Sequence, residues 1–194
     1  MTAVRRTLTE PKIKKVLTSL LASKGFDALT VSDIASLAGI NRSTFYMHYT
    51  DKYDLLQQLI ANAAGDIAQI LTGDVPFAKR LSAQDIFSRE HLIAVFKYLR
   101  ADFAFVFALV KSGNGQLFMN EVKHVTWRSI IGTAHAETSK AVSALRGLPD
   151  KYLREIMFSP AFSVILLWLR DGGKDDPEAV ADAIVALQCI MYAE

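Results

Sequence analysis

Apolar residues recur along this chain at spacings of three and four, with no stretch of sustained two-residue alternation, and that spacing predicts helices from end to end. Ile13, Val16, Leu17, Leu20 and Leu21 fall on one stripe of a first helix from about Glu10 to Lys24. Thr9 stands where a hydroxyl satisfies a free amide, Pro11 lies in the first turn, and Gly25 supplies a left-handed stop. A short second helix starts after Thr30, with Asp33 completing an acidic capping box. Val31, Ile34 and Leu37 face inward, and Gly39 ends it. Asn41 caps a third helix on which Phe45 and Tyr49, four apart, share one face. Three times an apolar residue before the cap is matched by one inside the helix: Leu8 with Ile13, Leu29 with Ile34, and Ile40 with Phe45.

A fourth helix begins near Asp51, carries Leu55, Leu56, Leu59, Ile60, Ala63, Ile67, Ile70 and Leu71, and breaks at Thr72-Gly73-Asp74. Further helices are expected at 88–111, 116–146, 150–171 and 177–192, with a short one around 82–87. Asp176-Pro177 is the clearest of the later start signals. The expected class is all-α: a three-helix amino-terminal domain over residues 1–52, then a helical domain over 53–194.

Residues 26–52 place two short helices around a tight turn at Gly39, with small Ala35 and Ala38 allowing close approach. That is a helix-turn-helix, whose second helix enters the DNA major groove by its amino-terminal end. Charge agrees with a polyanion partner for this part alone. Residues 1–52 hold eight Lys/Arg against four Asp/Glu, a balance of +4; with 22 and 20 in the whole chain, the remainder holds 14 against 16, or −2. An ordinary solvated surface would also account for the charge.

The segment resembles the TetR family of regulators. The positions that carry the resemblance are Thr30, Ile34-Ala35, Ala38-Gly39-Ile40, Thr44-Phe45-Tyr46-Met47-His48-Tyr49 and Lys52, within residues 10–60. Asn41-Arg42-Ser43 departs from the common Ser-x-Gly, and Tyr49 from the commoner Phe; both bear on which sequence is read. The resemblance implies a transcription regulator, in the first instance a repressor, binding an inverted-repeat operator in double-stranded DNA as a homodimer. A small-molecule effector would release it; control by a protein partner without a small ligand is the alternative.

Site residues follow. Arg42, Ser43 and Thr44 lie in the first turn of the reading helix, where Arg42 suits bidentate pairing with guanine. Helix-start chemistry is the lesser alternative for Ser43 and Thr44. The resemblance assigns Tyr46 and His48 to DNA; Met47 suits a thymine methyl. Lys52 and Thr30 stand at helix starts, where charge and free amides suit phosphates, although capping alone explains Thr30. Arg5 and Arg6 fit either a DNA-binding arm or a free tail. Phe45 and Tyr49 belong to the core of the reader.

In the body, Phe158, Ala161, Ile165 and Trp168, with Ile184, Leu187 and Met191 of the last helix, are apolar over more than one stripe. They suit either a dimer interface, which the resemblance favours, or an intrachain core. Phe96, Phe103, Phe107, Phe118 and Trp127, with His124, Arg128 and His135 as polar groups, suit either an effector pocket or core.

Other classes find less support. His48, His91, His124 and His135 show no metal-ligand spacing, and neither a phosphate loop nor a nucleophile elbow is present, so no enzyme, metal or cofactor is expected. Cys189 sits in an apolar pattern that suggests a buried thiol. Ile156–Leu169 is short for a membrane span and contains Pro160, and Arg5-Arg6 precedes a polar segment rather than a secretory one, which points to the cytoplasm.

Overall fold

The computed structural model describes residues 9–73, 87–133 and 148–192. Helix is the only regular structure among them: α1 (Thr9–Lys24), α2 (Val31–Ala38), α3 (Arg42–Tyr46), α4 (Lys52–Thr72), α5 (Arg89–Ala101), α6 (Phe103–Lys111), α7 (Gly115–Thr133), α8 (Asp150–Arg170) and α9 (Pro177–Tyr192). Outside the described residues lie Arg5, Arg6 and Leu8, most of the expected helix at 82–87, His135, and the end of the helix expected to reach 146.

The local signals act as their chemistry dictates. The Thr30 hydroxyl accepts from the Asp33 amide, while the Thr30 amide donates to the Asp33 carboxylate, closing the capping box. Gly39 stops α2 at φ 63°, and the Gly39 and Ile40 amides donate to the carbonyls of Ser36 and Ala35, the two bonds of a Schellman termination. Asn41 holds the cap position of α3 with extended backbone, but its side chain makes no capping bond, contrary to the sequence expectation.

Three positions correct the sequence reading, while the helix expected at 150–171 forms as α8. The expected helix at 88–111 is broken at Asp102 (φ −120°, ψ 30°), whose carboxylate pairs with Lys14 of α1; no Gly or Pro announces the break. Leu37 points outward, 63% exposed, while Ile34 and Ala35 carry the inner face of α2. Cys189 is exposed, not buried. Helix α8 runs through Pro160, and by length and composition alone it would suffice to cross a membrane. Pro160 forfeits one backbone bond, but Met157, Phe158, Ala161 and Phe162 around it are all buried in the protein's own core.

Helix α4 is the spine. It pairs most extensively with α7 and also packs on α5, while α1 lies against α2 and α6. On the other side α8 contacts α6, α7 and α9, and α9 returns to α5, where Arg89 donates to Asp182 (2.6 Å) and Glu178 (3.0 Å). The buried side chains form one cluster from Ile13 to Ile184, so reader and body share a continuous core.

Candidate nucleic-acid interface

The reader is built so that α3 is held from behind and left free in front. Phe45 is fully buried and Tyr49 nearly so, their rings 5.4 Å apart. Burial, with the charges of Glu10 and Asp54, pushes the Tyr49 phenol up, as befits a core tyrosine. Arg42, Ser43, Tyr46, Met47 and His48 are exposed, and Thr44 is half-buried. Tyr46 is 56% and Met47 80% exposed, and the two are adjacent in the chain. Among the described residues, no hydrogen bond or ion pair engages the Arg42 guanidinium. The helix is only five residues long, so Met47 and His48 sit in the turn that follows it. The structure therefore gathers Arg42, Ser43, Tyr46, Met47 and His48 on one presented segment.

Thr30 is set apart from them by its bonds. Its hydroxyl proton goes to Asp33 at 2.9 Å, and Lys24 donates to the same carboxylate at 2.9 Å. Hydrogen bonding from Lys24 first, then from Thr30, lowers the Asp33 carboxyl from its ordinary value of 3.8 to about 2.

Lys52 departs further from expectation. Its ammonium turns inward and donates to three carbonyls of the α1–α2 loop, Phe26 at 3.1 Å, Asp27 at 2.9 Å and Leu29 at 3.0 Å. It also lies 5.0 Å from the Phe26 ring and 5.3 Å from that of Tyr53. An ammonium has three protons, so none is left for a phosphate. The amides next to it are occupied too: the Asp51 carboxylate accepts from Tyr53 and Asp54 at 2.8 Å each. Sequence reasoning found the residue but not its direction. In this geometry Lys52 holds the loop that positions α2.

The residues expected to line an effector pocket lie at different depths. Phe96 and Phe118 are fully buried, and Phe96 packs edge-on against Trp168 at 5.0 Å. Phe103 and Phe107 stack on each other at 5.4 Å along α6. Trp127 is half-buried near Phe158, whereas His124 and Arg128 are exposed. Two polar residues missed by sequence reasoning lie on α7. Lys123 is buried and donates to Glu155 (2.8 Å) and Ser159 (2.9 Å), which holds the Glu155 carboxyl below its usual range. Thr126 is fully buried, and its hydroxyl has no partner.

The expected dimer residues also need correction. Phe158, Ala161, Ile165, Trp168 and Ile184 are buried within the chain itself, and Leu187 is half-buried; the side chain of Met191 lies outside the described residues. The outer face of α8 instead carries Tyr152, Ile156, Ser163 and Leu167, spaced by four, seven and four and therefore on one stripe. Tyr152 is 51% and Leu167 57% exposed. Apolar periodicity marked α8 and α9 but did not distinguish the face turned to the core from the face turned away.

Comparison with known proteins decides the family. Residues 15–59 match the profile of bacterial regulatory proteins of the tetR family, and residues 88–188 match that of a transcriptional regulator C-terminal region. The chain belongs to the TetR family. Proteins of this family are non-enzymatic DNA-binding transcription regulators. An uncharacterized HTH-type transcriptional regulator of Bacillus subtilis (strain 168), YxbF, is 37% identical over 65 residues, 33% of this chain and 17% of that protein. The match thus spans about a sixth of that relative's length. The structure of the fatty acid degradation regulator FadR from Bacillus halodurans superimposes with a TM-score of 0.67 over 98% of each chain, at 17% identity. FadR from Bacillus subtilis, solved in complex with stearoyl-CoA, gives 0.62 over 91% of this TetR-family chain and 96% of its own, at 16% identity. At such identities the likeness is one of fold.

Proposed function

We propose that this TetR-family chain is a repressor that binds an inverted-repeat operator as a homodimer, acts in the cytoplasm, and is released by a small-molecule effector. The observation that carries the DNA-reading part is the presented segment at α3. There a free guanidinium, an exposed tyrosine and an exposed histidine stand together on the basic end of the molecule. Arg42, Ser43 and Thr44 read base edges, Tyr46 and His48 contact the backbone, and Met47 meets a thymine methyl. One reader covers few base pairs, so affinity calls for two on a two-fold axis. The apolar stripe Tyr152, Ile156 and Leu167 supports pairing through α8, beside which α9 exposes small Ala179, Ala183 and Ala186. The effector reading is supported by the orphaned Thr126 hydroxyl, because a buried polar group without a partner costs about 1–3 kcal/mol and a ligand's polar atom would relieve it. The stearoyl-CoA complex of a protein with this fold supports it too.

The test is selection of bound duplexes from a random DNA pool at near-physiological salt, with Tyr46→Ala and Arg42→Ala run alongside. The expected result is an inverted repeat whose half-sites lie about one helical turn or a multiple apart. Tyr46→Ala recovers none of it, and Arg42→Ala shows changed preference at one position, a loss of about 1–3 kcal/mol there. An asymmetric single half-site bound at full affinity would rule out the dimer.

A further inference from the structure

A cleft of about 400 Å³ opens where the reader meets the body, between α1, α4 and α5. Its volume lies in the range of small-molecule sites. Its lining is mixed: Leu59, Ala63 and Ala101 are apolar, and the charged groups among the described residues are three carboxylates, Glu10, Asp66 and Asp102, against one ammonium, Lys14. That ammonium is committed: it pairs with Asp102 and sits 4.6 Å from the Phe105 ring. The other two carboxylates are held in place by neutral donors only. The Tyr98 hydroxyl donates to Asp66 at 2.9 Å, and the Asn62 amide donates to Glu10 at 3.3 Å. Among the described residues, orientation is thus supplied without compensating charge, to one carboxylate on α1 and another on α4.

We propose that this cleft binds an organic cation with an apolar body, whose charged group lies between Glu10 and Asp66. Among the described residues, an anion would meet three carboxylates and no free cation. A bare divalent ion is not favoured, because the described residues hold no group of carboxylates arranged to ligate a metal. A neutral apolar molecule would strip water from two carboxylates and give nothing in return. Glu10 belongs to the reader helix and Asp66 to the body, so an occupant bridges the two. It acts on DNA binding to the extent that its affinity differs between the reader orientations.

The probe is 4-phenylbutylammonium, titrated calorimetrically into the full-length protein, with 4-phenylbutanoate as the anionic counterpart of the same shape. The ammonium is expected to bind and the carboxylate not. In the double variant Glu10→Gln/Asp66→Asn, which keeps size and shape, affinity for the ammonium should fall at least about tenfold. The contrast between the two probes on the unaltered protein stands even if the variant folds poorly. Absence of ammonium binding by the folded protein at millimolar concentration, equal binding of both probes, or unchanged affinity in a folded double variant would each overturn the proposal. Binding is read without DNA, so this result is separate from the operator selection.

Discussion

Replacing Lys52 with methionine separates two roles for a lysine at the reader's edge, because the structure assigns its ammonium to protein rather than to phosphate. Methionine keeps much of the aliphatic stem and deletes three donors. A hydrogen bond to a charged group contributes about 1.5–3 kcal/mol. The Asp27 carbonyl lies at an exposed position where water replaces the lost donor, whereas those of Phe26 and Leu29 belong to buried residues. Two bonds at the lower end of the range give a loss of about 3 kcal/mol. For a chain of this length that corresponds to a fall in Tm of roughly 6–12 °C. The assay is thermal and urea unfolding at fixed protomer concentration, paired with operator affinity measured across a salt series. A lysine that neutralised a phosphate would, when removed, lower the slope of log K against log salt by about 0.9 per reader. The expected result is reduced stability and weakened binding with the slope unchanged. Unaltered stability with a shallower slope would refute the reasoning and return Lys52 to the phosphate backbone.

Three further outcomes are expected. Asp33 titrates at about 2 in the folded protein, below its ordinary 3.8. A depressed carboxyl stabilises the fold above its unfolded pKa and loses that contribution as pH falls through the folded one. The capping of α2 should therefore weaken between about pH 4 and pH 2, and an NMR titration of the Asp33 carboxyl midpoint checks it. Gly173→Ala should destabilise by about 2–3 kcal/mol: φ is +64° there, and a Cβ would meet the Phe103 ring at 2.7 Å and the Trp168 ring at 3.2 Å. Urea unfolding would show a lowered midpoint, and unchanged stability would mean the ring moves freely. Glu155→Gln leaves the buried Lys123 ammonium without its counter-charge and should cost about 1–3 kcal/mol. The double variant with Lys123→Met should recover part of that loss, measured as a coupling in a double-mutant cycle.

What was legible in the sequence is what is decided within a few residues. The Thr30–Asp33 box and the Gly39 stop depend on side chains three or four positions apart, and the reader's helix boundaries follow from them. The burial of Phe45 and the exposure of Tyr46 follow from their adjacency on one helix. The break at Asp102 falls where the carboxylate meets Lys14, distant in sequence, and no local pattern announces it. The direction of Leu37 was lost because α2 has eight residues, too few for periodicity to fix a face. The motif that identifies Lys52 says which residue stands there, not that three loop carbonyls take its protons. On α8, apolar residues on both faces made core and outer stripe indistinguishable until the packing was known.

The shared core constrains how any effector works. Reader and body form one buried cluster, so a signal cannot pass by loosening a linker between independent units. It has to turn α1 to α3 against α4 to α6 as packed bodies, since close-packed interiors switch between arrangements rather than deform continuously. Among the described residues the polar ties across that boundary include Lys14 with Asp102, Asn62 with Glu10, and Lys52 of α4 with the carbonyls of Phe26, Asp27 and Leu29. The side chains of the first pair are 30% and 31% exposed. A pair so open to solvent contributes about 1 kcal/mol or less. Allosteric coupling energies are typically about 1–3 kcal/mol, which exceeds such a tie but not the buried packing on either side of it. An effector's coupling energy is thus enough to break the Lys14–Asp102 pair, while the three Lys52 bonds keep the α1–α2 loop on α4.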